Sequence, residues 1–543
     1  MSTARSLSRA TALVVGLTLF VTWPQGLVPA SQLANHHDAL FSIWRLGWIA
    51  HGLVTSPLHL FDANIFHPAK TTLAYSDATM LEGLIAAPLF WAGLPPALTY
   101  NLMLLAGFAG SGVAMFVLAR HVIGAEGPAL LSAAVFTLLP YRIEHFMHLE
   151  LQWAMFIPLT LWALHRTVES GELRWGAIAG VCFWLQVLAC VYYGVFLGLT
   201  LVVFVPALVL ATARTRTRAV VLPLLAAGVV AVVLTAPFAW PYRAAANELG
   251  GRTAEEIARY SATFHSYFAT TTWNRVWGWT ADRWGGPELR LFPGAVALAL
   301  AALAVVRRPS RVTLVYVLLA VTAVELSFGF NGTIYRALVD HVEALRGFRA
   351  TARFAVIASC AVALLAGVGA HAWRQAWPAT RAASALMPML LALIMADSAN
   401  RAMRLMPAES PQTPDVYKIL ESAAPGALLE LPLPNLDRLP GWEPEYQAWS
   451  LWHFRPLVNG YSGYYPRDYI TTVLRMNVFP GEGTLDRLRA HDVRFIIVHR
   501  AFYDQERYTQ LMLRMATRPE LKPWGAYKDP VGTADIFELL PVD

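Results

Sequence analysis

The chain has 543 residues, 56% of them hydrophobic and only 14% charged, with a mean hydropathy of +0.45. A soluble domain carries about 25% charged residues, so this composition excludes an ordinary soluble globule and fits a membrane protein. The net charge of +6 does not imply a nucleic-acid partner. Its basic residues are mostly Arg in short loops between apolar runs, as the positive-inside rule expects.

The first apolar run, 10–29, follows Arg5 and Arg9. It reads as an uncleaved first helix rather than a signal peptide, because more apolar runs follow. Those runs are 98–118, 128–141, 151–165, 175–191, 194–213, 219–240, 291–306, 312–330, 353–371 and 382–396. Together they predict a polytopic α-helical membrane protein of about eleven spans, each near the length that crosses about 30 Å of hydrocarbon. Cys182, Cys190 and Cys360 fall inside these runs, without metal-ligand spacing.

Arg214, Arg216 and Arg218, with Arg307, Arg308 and Arg311, mark the cytoplasmic side; 166–174 and 371–381 are weaker markers of it. Counting from these anchors places the N-terminus inside. It places 31–80, 141–150, 242–290 and everything after the last span outside. The run Leu81–Leu94 is short, carries Glu82 and Pro88, and stops at Pro95-Pro96. The count makes it a re-entrant or interfacial helix; the alternative is two further crossings.

The first external segment carries the most chemistry. Asn35-His36-His37-Asp38 leads directly into Ala39–Val54, whose Leu40, Phe41, Ile43, Trp44, Trp48 and Ile49 suit an amphipathic helix lying in the interface. Asp62 and Asp77 follow in loops. A carboxylate held at the membrane plane can take a proton from an acceptor hydroxyl, or hold a divalent cation such as Mg or Mn that binds a phosphate. Asp38 is the best placed, since the preceding span fixes its depth, and Asp77 is second. Asp38 is also a good N-cap for the Ala39 helix, and both roles are compatible. His36 and His37 lack a second spaced pair to make a metal site.

In Tyr141–Glu150, His145 and His148 share one face of a helical turn, with Glu150 as a third contact for a substrate or metal; a polar interhelical turn is the plain reading. The loop 242–290 contains Glu255–Ser266, which reads as a short surface helix, and Trp273, Trp277, Trp279 and Trp284, which suit an interface. At the opening of the tenth span, Arg346, Arg349 and Arg353 fall on one helical face on the external side. Charge against the positive-inside rule asks for a partner. A phosphate at a helix start is one, and outer-leaflet headgroups are another.

After Met406, Pro407, Pro411 and Pro414 mark a linker. Strands are expected at Leu428–Leu431, Phe495–Val498 and Asp535–Leu540, and helices at Val416–Ala423 and Leu485–His491. The expected architecture is therefore a transmembrane part, 1–406, and a small external α/β domain, 407–543. The aromatic, Gly-rich loop Asn459–Tyr465 either packs within the protein or contacts a glycan. No phosphate loop, dinucleotide fingerprint, hydrolase elbow or zincin motif is present.

This arrangement resembles the GT-C class of integral-membrane glycosyltransferases, in its bacterial branch. Asp38 stands where that class keeps an acid in the first external loop, and Glu288–Gly294 (ELRLFPG) and Gly347–Phe354 (GFRATARF) are similar to segments of such proteins. There is no Lys-Pro-Pro or His-Pro-Pro before the second helical segment and no Trp-Trp-Asp motif. The resemblance implies a multi-pass bacterial inner-membrane enzyme with a periplasmic C-terminal domain. It implies a polyprenyl-phosphate-linked sugar as donor, a glycan, lipid or protein as acceptor, Asp38 as general base, and Arg349 and Arg353 on the donor phosphate. The competing expectations are a transporter or flippase for lipid-linked glycans and a non-catalytic surface-polysaccharide assembly factor. A transporter is expected to show buried midplane charges and paired repeats. Glu325 is the main charge within a span, and no internal repeat is evident.

Overall fold

The computed structural model describes residues 2–212, 217–377, 381–410 and 412–541. Arg214, Arg216 and Pro411 lie outside the described residues, as does the side chain of Arg381. Among them, five helices are long and apolar enough to cross a membrane: Ala4–Val21, Pro96–Ile123, Val191–Thr212, Arg218–Leu249 and Thr351–Ala376. Shorter apolar helices include Leu173–Ala189, Ala295–Arg307 and Ala385–Asp397. The first helix, Ser2–Val21, sits upstream of the expected 10–29. Pro24 lacks an N–H and restricts the residue before it, so the helix stops short of the end of the apolar run.

By packing, the chain divides into two units. The first comprises Met1–Pro29, Asn101–Ala239 and Gly250–Leu405. Its central element is the helix Ala355–Ala376, packed by Ala295–Arg307, Arg311–Ser327 and Glu126–Thr137. Small residues allow this. A Cβ on Gly369 would collide with the Leu300 carbonyl, and one on Gly367 with the Ser132 hydroxyl. Without a hydrophobic drive between helices in lipid, such close backbone approach supplies the packing energy.

The second unit comprises Ala30–Tyr100, Trp240–Leu249 and Met406–Asp543. Its sheet has the order Ala427–Leu431, Val493–His499, Gly532–Leu539, Leu521–Asp529; the first pair is parallel and the others antiparallel. Three of these strands and the helices Asp415–Glu421 and Thr484–Ala490 lie where the sequence places them. Helices Glu443–Trp449, Arg467–Met476 and Gln505–Ala516 were not placed from the sequence. The last two are nevertheless amphipathic, with Tyr469, Val473 and Met476 buried on one face of Arg467–Met476, and Leu511 and Met515 on one face of Gln505–Ala516. The strand Leu521–Asp529 is masked in the sequence by Pro523 and Gly525.

The helix His37–Thr55 is largely buried within this unit. It packs on Met80–Trp91 and on Glu443–Trp449. Arg45, which interrupts the apolar pattern of this helix, is buried and donates to the Asp77 carbonyl (2.5 Å) and the Ser42 hydroxyl (2.8 Å). Helix Met80–Trp91 has 12 residues, a rise of about 18 Å that falls short of the hydrocarbon thickness. The helix Thr217–Leu249 continues past Tyr242, so the irregular part of the expected loop 242–290 begins at Gly250.

Candidate functional site

In the second unit, Asp38 occupies the first turn of His37–Thr55. It is not the N-cap: His36 is, accepting from the Asp38 amide through Nδ1 (3.1 Å). The Asp38 side chain is therefore released from capping. One oxygen accepts from the Tyr461 hydroxyl (2.7 Å), the other lies 3.3 Å from His36 Nδ1, and the side chain is 13% exposed.

Tyr461 is held in turn by the loop it sits on. Asn459 bridges both polar groups of the Glu430 backbone and reaches Glu443 (3.1 Å). The Gly460 amide donates to Glu443 (2.6 Å), and the Tyr461 amide donates to Gln447 (2.8 Å). Phe66 lies against Gly460, with its amide donating to the Asn459 carbonyl. The aromatic loop is thus a packing element that delivers a phenol to Asp38.

Beside it, His37 Nδ1 lies 3.8 Å from Glu445. Burial raises the Glu445 carboxyl to about 7, and burial lowers the His37 imidazole. A carboxyl titrating near neutrality is suited to proton transfer. Sequence reading passed over Glu445, since its only signal is an acid in a helix whose burial the sequence does not show. Asp77 is buried next to Arg45, an arrangement that also serves the fold.

In the first unit, the arginine row differs from expectation. Glu343–Gly347 and Thr351–Phe354 are separate 3-10 turns, and the α-helix starts at Ala355. Arg346, Arg349 and Arg353 therefore do not share one helical face. The break is anchored by Thr351, whose hydroxyl bonds Ser261 (3.1 Å) and the Ser327 carbonyl (3.2 Å).

Arg353 is buried and makes a two-pronged pair with Glu288 (2.9 and 3.2 Å), with its guanidinium over the Tyr192 ring. Burial works to raise the Glu288 carboxyl, but Arg353 holds it well below the usual carboxylate range. Arg349 lies 3.4 Å from Glu256, which also pairs with Arg252 (2.9 Å). Arg346 is exposed and has no ion-pair partner among the described residues.

The segments ELRLFPG and GFRATARF are thus joined by the Glu288–Arg353 pair. Arg290 extends the network to Glu144 (2.6 Å) and Asp282 (2.9 Å). Gly294, at φ +103°, makes the turn from this segment into Ala295–Arg307, a backbone that side-chain-bearing residues avoid.

His145 is buried, 3.3 Å from His148 through the Nδ1 atoms and 3.9 Å from Glu288. Burial pushes it down to about 3, so the ring is neutral. Among the described residues, the donor atoms of His145, His148 and Glu150 do not gather as a metal-ligand group, and those of His36, His37 and Asp38 do not either. The helix Pro140–Glu144 ends before His145, and Glu150 stands on the next short helix, Leu149–Gln152, so the three residues do not share one helical turn.

No family model matches the chain, and no curated protein matches it. Among solved structures, the cryo-EM structure of the arabinofuranosyltransferase AftD from Mycobacteria is similar over 98% of this chain and 42% of that one, with a TM-score of 0.61 at 16% identity. The chain therefore spans about two fifths of that protein's length. ArnT from Cupriavidus metallidurans is matched at 13% identity and TM-score 0.48 in the apo state, covering all of both chains. Bound to undecaprenyl phosphate, it is matched at 12% and 0.49, covering 98% and 99%. The first of these shows the fold alone: over 98% of its length the chain is folded like that glycosyltransferase, in keeping with the GT-C resemblance of the sequence.

Proposed function

We propose that the protein is a glycosyltransferase that moves a sugar from a polyprenyl-phosphate-linked donor to an acceptor at the external face of a bacterial inner membrane. Asp38 removes the proton from the acceptor hydroxyl. The resulting oxygen bonds to the anomeric carbon while the bond from that carbon to the phosphate oxygen breaks, and polyprenyl phosphate leaves. Arg346 and Arg349 are the guanidiniums least committed to carboxylates, and they bind the donor phosphate. Arg353, tied to Glu288, shapes the segment that carries them. His145, kept neutral by burial, and His148 serve as polar contacts, Asp77 supports the helix that carries Asp38, and 407–543 stands in the periplasm.

The observation that carries this reading is Asp38 itself: a largely sequestered carboxylate that follows the first apolar run in sequence and is oriented by a phenol, in a chain of GT-C fold. The test is turnover by the purified protein in detergent. Its substrates are a panel of decaprenyl- and undecaprenyl-phosphate-linked pentoses and hexoses with membrane-extracted acceptors, and the readout is released polyprenyl phosphate. Asp38→Asn is expected to lower turnover by about 10²–10⁴-fold, the usual contribution of a positioned base. Turnover equal to wild type rejects the assignment.

A further inference from the structure

A second cluster of chemistry occupies the other end of the helical unit. His371 lies near the C-terminal end of Ala355–Ala376, about 24 Å of helix away from the end that adjoins Arg353. Here a cavity of about 280 Å³ is lined by His121, His165, Glu169, Arg308, Tyr316 and His371. His121 ends the helix Pro96–Ile123, while His165 and Glu169 are four residues apart on Phe156–Ser170 and so share a face.

One donor atom from each of His121, His165 and Glu169 falls within 4.8 Å of the others. His121 Nε2 is 3.0 Å from Glu169, and His165 Nδ1 is 3.9 Å from it. A tetrahedral ion with bonds of about 2.1 Å needs its ligands about 3.4 Å apart, so small side-chain movements close the set. His165 Nε2 lies 3.0 Å from the Tyr316 hydroxyl. Donation from that nitrogen to the phenol leaves Nδ1 as the ligand and fixes the ring plane, which is how metal-bound imidazoles are oriented.

We propose that His121, His165 and Glu169 form a site for a divalent transition ion of the zinc class, oriented by Tyr316. Two nitrogens and one carboxylate select such an ion over Mg or Ca, which prefer all-oxygen sets. The cavity supplies water for the open position, and Arg308 on its wall favours an anionic rather than a cationic occupant beside it. The ion would tie together the ends of three helices, those bearing His121, His165 and Tyr316. The site is independent of the sugar-transfer reading.

The test uses the full chain in detergent, without a histidine tag, stripped with chelator and titrated with Co²⁺ and then Zn²⁺. Wild type is expected to bind a single equivalent of Co²⁺ with visible d–d absorption, to release it to Zn²⁺, and to melt at higher temperature when loaded. Glu169 is 43% and His121 19% exposed, so His121→Asn and Glu169→Gln leave the core intact. Each is expected to weaken binding roughly 100-fold, and Tyr316→Phe about 10-fold, with unloaded melting temperatures near wild type. Substoichiometric binding by wild type, or unchanged affinity in both His121→Asn and Glu169→Gln, overturns the proposal.

Discussion

Glu288 and Arg353 show what a single pair of residues decides. Both are largely withdrawn from solvent, with side-chain exposures of 18% and 10%. Their attraction offsets a desolvation penalty that neither charge would bear alone. Glu288→Gln leaves the guanidinium buried without its counter-charge and is expected to destabilise the protein by about 3–5 kcal/mol, read as a lower melting temperature in detergent. Glu288→Gln combined with Arg353→Met is expected to recover part of that loss, because no lone charge remains. A double variant no better than the single one means that the pair is not the cause. The sequence singled out both segments but not their connection. It also named Asp38 and passed over Tyr461 as the residue that orients it, since 423 positions separate the two.

At the level of elements, several apolar helices were legible, five of them among the described residues long and apolar enough to cross a membrane, because hydrophobic length is a sum over neighbours, independent of what packs where. What could not be read was the path between them. A row of arginines at i, i+3 and i+7 implies one helical face, yet Thr351 and its hydroxyl partners break that stretch into two short turns. Small residues were equally silent in the sequence. Gly369 looks like any glycine in an apolar run, but it is where Ala295–Arg307 meets the central helix. Gly369→Leu forces the two backbones apart and is expected to cost about 1–3 kcal/mol or more, measured by thermal unfolding. Gly228, with open space around its Cα, provides the control: Gly228→Leu leaves the melting temperature unchanged or raises it through better helix propensity. Equal losses at both positions would mean that close helix approach is not the determinant.

The whole molecule carries two opposing pH dependences. In the second unit, burial raises the Glu443 carboxyl to about 8. His499, buried between Asp529 and Glu430 at 2.7 Å from each, is raised above its ordinary value because those bonds outweigh burial. A raised pKa contributes stability that is fully present below the unfolded value and is lost as pH climbs through the folded one. That unit is therefore expected to weaken between about pH 5 and 8 as Glu443 ionises, with His499 adding to the loss. Glu288 in the first unit is depressed, so its contribution is present above the unfolded carboxylate value and fades in acid. Melting temperatures across pH 4–9 are expected to peak near about pH 5. Glu443→Gln mimics the protonated side chain and should flatten the alkaline fall; a profile unchanged by it removes Glu443 as the source.

The sequence by itself determined the apolar, membrane-type composition, the position of Asp38 soon after the first apolar run, and the strands around Leu428 and Phe495, all of which depend on local composition and period. Tertiary structure alone decided that His36 rather than Asp38 caps the helix, that Tyr461 meets Asp38, and that Glu288 answers Arg353. Partnership depends on which distant segments the packing of apolar surface brings together, and no local pattern encodes that distance.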